Sequence, residues 1–232
     1  MLDAFEARGW PVRIDFDAVL RFLLLIDLAL IAVYLGFRAN EFFSGAETPE
    51  LFKFEEPGTL PSYWLYAKLL GISAVLFVLA RKVPQQGFLG ISAFFLVLLL
   101  YDYFVELPEG VEEPPPPVLG EFSIYGLRPI SLDEVAHVTL LLGTAIWAFT
   151  YAFRNAAGEN LLFVRRLLLL TFLLAIFGVG VDVVHLLIDG VESKIGLVIQ
   201  ALVGLTEDGG EMVVGSLILA AVIAHWRQVE PG

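Results

Sequence analysis

Carboxylates and imidazoles recur at helical spacing in this chain, inside stretches that are otherwise apolar. Glu134 and His137 stand three residues apart, Asp182 and His185 repeat that spacing, and Asp189 lies four residues beyond His185. Glu207 and Glu211 are four apart, as are Asp102 and Glu106. Residues three or four apart share a helix face, so each pair can aim at one locus. Carboxylate oxygen and imidazole nitrogen without thiolate suit Zn, Fe or Mn rather than a soft metal. The chain has no cysteine at all, which also removes disulfides, CxxC redox chemistry and a cysteine nucleophile.

What must position these groups is a set of membrane helices. Of 232 residues, 58% are hydrophobic and 17% charged, against about 45–50% and about 25% in soluble domains. A fold of this size cannot hide that much apolar surface from water. The long apolar runs lack the period-2 alternation of a barrel, and a spanning helix needs about 20 such residues. The pattern predicts a single all-α membrane domain over 1–232, a bundle of six transmembrane helices at about 19–37, 63–80, 88–104, 133–153, 167–188 and 207–226. The apolar stretch 195–205 either extends the last helix or lies before it as an interfacial or re-entrant segment.

The basic residues orient the bundle through the positive-inside rule. Arg8, Arg13, Arg21, Arg81, Lys82, Arg154, Arg165, Arg166 and Arg227 fall on one side, and Arg38, Lys53, Arg128 and Lys194 on the other. Both termini are therefore expected in the cytoplasm, with the protein in the cell membrane as a multi-pass chain. The loops 39–62 and 105–132 are then external and acidic, the second stiffened by Pro114–Pro117. They read as solvated loops or as an anionic vestibule that gathers cations. A formal charge of -12 excludes nucleic acid as a partner, since its binders need a basic face.

Depth brings the acidic pairs together. On outward-running spans, Asp102 and Asp182 lie about 22–24 Å from the cytoplasmic ends at 1.5 Å per residue, near the outer edge of a hydrocarbon core about 30 Å thick. Glu134, His137, Glu207 and Glu211 occupy the outermost turns of inward-running spans. Four helices thus deliver ligands to one shallow layer: Asp102, Glu134, His137, Asp182, His185, Glu207 and Glu211. Glu-x-x-His on one span and Asp-x-x-His on the next resembles, over those two motifs, the ligand arrangement of soluble bundles that hold dinuclear iron or manganese. Ordinary capping competes with this reading, because Asp133, Glu207 and Asp208 also suit the first turns of helices.

Three functions are compatible with such a layer. A metal-dependent membrane enzyme, a hydrolase or an oxidase, would use the metal against a lipid-soluble substrate. A transporter or channel would bind a divalent cation or protons there, with Asp27 in the middle of the first span marking a proton path inward. A non-catalytic subunit of a larger complex or oligomer would use the cluster only to fix helix packing. Asp27 is expected to be protonated or paired with a neighbour's donor. Lys68 reads as snorkelling to the outer interface, His225 as a cytoplasmic interface residue, and Trp64 as a belt aromatic. Gly178, Gly180, Gly209, Gly210 and Gly215 are expected to admit close helix contact. Retinal, serine-protease, phosphate-loop and dinucleotide signatures are missing, and haem on His137 and His185 would leave the acids unexplained.

Overall fold

The computed structural model describes residues 18–54, 58–82, 87–101, 132–180 and 194–229, with side chains except at 132–135, 137, 138, 179, 180 and 194–201. Of these residues 92% are helical, with no strand among them. The helices are α1 (Ala18–Ser44), α2 (Leu60–Lys82), α3 (Gly87–Tyr101), α4 (Leu132–Asn155), α5 (Glu159–Ala175) and α6 (Lys194–Val229). A single 3-10 turn, Glu50–Phe52, lies between α1 and α2, and α5 passes into a π-helical turn, Ile176–Gly180. Four helical stretches are long and apolar enough to cross a membrane: Ala18–Ser44, Leu60–Lys82, Glu159–Gly178 and Leu202–Val229. They overlap the first, second, fifth and sixth expected spans, the fifth beginning at Glu159, eight residues before the expected 167.

Helix α6 is the hub, packing on α1, α2, α5 and the π-turn, while α2, α3 and α4 pack in sequence and α4 meets α5. The apolar core joins Leu69, Ile72, Leu76 and Leu79 of α2 to Phe88, Ile91 and Phe95 of α3, Ala148 and Ala152 of α4, Leu167 of α5, and Ile218 and Val222 of α6. Helix α1 touches the rest along one seam, Leu20, Leu23, Asp27 and Tyr34, the three-and-four spacing of a helix stripe. Its other faces carry exposed Phe22, Leu25 and Leu28, as a lipid-facing helix should. Unlike the expected 19–37, α1 continues to Ser44, where Gly45 at φ +72 ends it in the left-handed conformation. Helix α6 runs unbroken through 195–205, which decides for extension of the last helix over a separate segment. Its 36 residues reach about 54 Å, beyond the hydrocarbon thickness.

Small residues let the helices close up. A Cβ on Gly87 would come within 2.7 Å of the Ala152 Cα, and one on Gly90 within 3.6 Å of Ala148, so α3 and α4 meet nearly backbone to backbone. Between α2 and α3 the buried Ser73 and Ser92 clasp reciprocally. Ser73 Oγ donates to the Ser92 carbonyl at 2.9 Å and Ser92 Oγ to the Ser73 carbonyl at 2.8 Å. Interhelical hydrogen bonds in bilayers contribute about 0.6 kcal/mol on average and at most about 1.7 kcal/mol. Ser73→Ala should lower stability within that range, and Ser73→Ala with Ser92→Ala should cost less than the two single losses added, because the clasp is shared. Unfolding midpoints in detergent measure both.

Candidate functional site

Two polar features meet on α6 among the described residues. The first is built around Asp27, which is fully buried. Its Oδ1 accepts from Lys68 Nζ at 2.8 Å and from Trp64 Nε1 at 2.7 Å, and its Oδ2 accepts from Ser216 Oγ at 2.6 Å. Lys68 Nζ donates further to the Met212 carbonyl at 2.7 Å and to Ser216 Oγ at 3.2 Å. The ammonium has three protons, and three acceptors surround it. Trp64 and Lys68 are an i, i+4 pair on α2, and Met212 and Ser216 an i, i+4 pair on α6, so two helix faces close over one carboxylate. The Trp64 ring centroid lies 5.3 Å from Lys68 Nζ, a cation–π contact. Tyr34, Phe54 and the Met212 side chain form a small apolar cluster, with Trp64 packed against it.

This arrangement corrects two expectations. Lys68 does not snorkel: it is 1% exposed and paired with Asp27. A carboxylate on the facing helix supplies the partner that interfacial water would otherwise provide, and an ion pair with every ammonium proton engaged tolerates burial that a lone charge does not. Trp64 is no belt aromatic, because its ring nitrogen is committed to Asp27. Asp27 has the neighbouring donor that one of its two expected readings required.

The second feature is the acidic turn of α6. Glu207 and Glu211 are both half-buried. A carboxylate oxygen of Glu211 occupies the space a side chain at Gly178 would need, and the Phe177 ring occupies that of a side chain at Gly210. Gly178 and Phe177 belong to the π-turn. A π-turn widens the helix by one residue and recurs at functional sites. Sequence periodicity does not foresee it, although Gly178, Gly209, Gly210 and Gly215 do take close contacts as expected, with Ile31 against Gly209 and Leu65 against Gly215. Beyond this turn the chain leads to Asp182 and His185, which lie outside the described residues, as does Asp102. Glu134 and His137 stand on the first turns of α4, and their side chains are not described. Among the described residues no three His, Cys, Asp or Glu side chains gather at metal-ligand distance.

His225, expected at the interface, is instead buried within the helices. Its ring stacks on Phe163 at 3.9 Å between centroids and 10° between planes, and Phe88 meets it edge-on at 5.8 Å. Its Nε2 and Asn160 Oδ1 are 2.9 Å apart, a hydrogen bond between α5 and α6. One stacked ring, one edge-on ring and one amide give the imidazole a better environment than the interface, tying α3, α5 and α6. Fourteen residues of α6, about 21 Å, separate it from Glu211, so it belongs to neither polar feature. No protein-family model matches the chain, and no curated protein or solved structure matches it.

Proposed function

We propose that the chain is a six-span protein of the cell membrane, both termini cytoplasmic, whose helix bundle holds a divalent metal near its outer face and acts as a metal-dependent enzyme on a lipid-soluble substrate. With α6 unbroken from Lys194, Glu207 and Glu211 lie within that helix and not in its first turns. The ligands in this reading are Asp102, Glu134, His137, Asp182, His185, Glu207 and Glu211, and the metal is Zn, Fe or Mn. The observation that supports it is the seat of the Glu211 carboxylate on Gly178. It packs the acidic turn of α6 on the π-turn that precedes Asp182 and His185 in the chain by a few residues, as a shared ligand layer requires. Such a metal would supply Lewis acidity toward water or oxygen. The protein side chains would hold and orient it, and a spare carboxylate would take up a proton.

Transport through Asp27 is the weaker reading. A path needs a carboxylate that can exchange partners, and Asp27 is engaged on both oxygens by Lys68, Trp64 and Ser216. Those contacts favour its use as a helix clamp, which serves an enzyme and a structural subunit equally. Elemental analysis after purification without chelator decides between these. The native protein should carry stoichiometric metal, and Asp182→Asn and His185→Ala should each lose at least about tenfold in metal affinity. Native protein free of stoichiometric metal would remove the enzyme reading. Metal-dependent cation flux into liposomes would replace it with transport.

A further inference from the structure

The Asp27–Lys68 clamp grips α6 at one turn, and that turn adjoins the acidic one. Lys68 Nζ holds the carbonyl of Met212, the residue next to Glu211, and Lys68 and Asp27 together hold Ser216, one turn further along. Gly215, between them, packs closely on α2: a Cβ there would come within 3.3 Å of Leu65 Cδ1 and into ordinary contact with Lys68 Cδ at 3.9 Å. Three neighbours bear on the same two turns of α6. From α1 come Ile31 against Gly209 and Asp27 on Ser216; from α2 come Leu65 and Lys68 at Gly215; from the π-turn come Phe177 at Gly210 and Gly178 under Glu211. A rotation of α6 by one residue, about 100° at 3.6 residues per turn, would carry Ser216 away from Asp27 and Glu211 away from Gly178 together.

We infer that Asp27 and Lys68 are positioning residues for the acidic turn of α6: by holding Met212 and Ser216 they set the height and rotation at which Glu211 meets the π-turn, and with it the cation affinity of that turn. The affinity part rests on the metal reading above; the positional part does not. The clamp grips α6 at Met212, next to Glu211, and at Ser216, about 7–8 Å along the axis from Glu211, so its influence on Glu211 runs through the helix backbone and through its charges. The pair is also neutral. Asp27→Asn would leave the Lys68 ammonium facing the acidic turn without its counter-charge and repel a cation, whereas Asp27→Asn with Lys68→Gln removes both charges and keeps polar groups of similar size.

Two measurements separate the parts, and both use the full chain in nanodiscs. The first is Mn2+ binding followed by electron paramagnetic resonance. The second is the distance between spin labels at Thr206→Cys on α6 and Phe43→Cys on α1, which the cysteine-free background makes unambiguous. Asp27→Asn should weaken Mn2+ binding at least tenfold. The neutral double variant should still weaken it several-fold while retaining its helical circular dichroism, and it should broaden the label distance distribution. An unchanged distance distribution in the double variant overturns the positioning role, whatever the metal result. Native Mn2+ affinity in the double variant shows that only charge balance acts, and also overturns it. Wild-type protein that binds no Mn2+, with a broadened distribution in the variant, removes the metal reading and leaves the positional inference standing.

Discussion

Lys68→Met should be the most damaging single substitution in the described bundle, lowering stability by about 3–5 kcal/mol. The loss comes less from the missing attraction than from what stays behind. Asp27 would remain fully buried with a negative charge and no counter-ion, and the Met212 carbonyl would lose its second donor. Asp27 would have to take up a proton or draw water to it, and either loosens the seam by which α1 holds α6. The companion Asp27→Leu with Lys68→Met should recover most of the loss, because replacing both members of a buried pair by apolar groups is often neutral. Trp64 Nε1 and Ser216 Oγ would still lose their acceptor, so recovery should be incomplete. Unfolding midpoints for the two single variants and the double form a cycle. A Lys68→Met variant within about 1 kcal/mol of wild type would show that the pair does not hold the bundle, since a broken buried pair should cost several times that.

Gly210→Val and Gly178→Ala should split stability from site geometry. At Gly210 the colliding atoms are Cγ, Cδ1 and Cε1 of the Phe177 ring, close to the root of the side chain. The ring cannot swing aside without changing rotamer, so the π-turn must move off α6, and overpacking of this kind costs about 1–3 kcal/mol. Phe177→Ala in the same chain should return part of that loss by restoring volume. At Gly178 the collision is with the tip of Glu211, a flexible side chain. Gly178→Ala should therefore leave the unfolding midpoint almost unchanged, yet displace the carboxylate and weaken metal binding by about tenfold, the scale of a lost outer-shell contact. Equal destabilisation by both substitutions would contradict this division.

The contrast between Lys68 and Glu211 shows where reading the chain alone stops. Asp27 stands out in sequence because a carboxylate deep in an apolar run is costly, and its need for a partner follows. Which partner does not follow. Lys68 is forty-one residues away and Ser216 a further one hundred and forty-eight, and a lysine near a span end has an equally good exit to the interface. Trp64 and His225 fail in the same way: aromatic and imidazole side chains near a helix end suit the interface, and only the opposing Asp27 or Phe163 draws them inward. The π-turn leaves no periodic trace either, being a local widening within an otherwise regular apolar run.

Hydrophobic run length and composition alone determined that the chain is helical and apolar enough for a membrane. Four described stretches have that length and apolarity. The same periodicity determined which acidic residues share a helix face, since 3.6 residues per turn is a property of the backbone. Tertiary structure alone decided which faces meet. It placed Asp27 on Lys68 and Ser216, Glu211 on Gly178, and His225 against Phe163. Helix rotation and height depend on side chains distant in sequence, where a glycine admits a neighbour and a buried charge accepts only a partner that neutralises it.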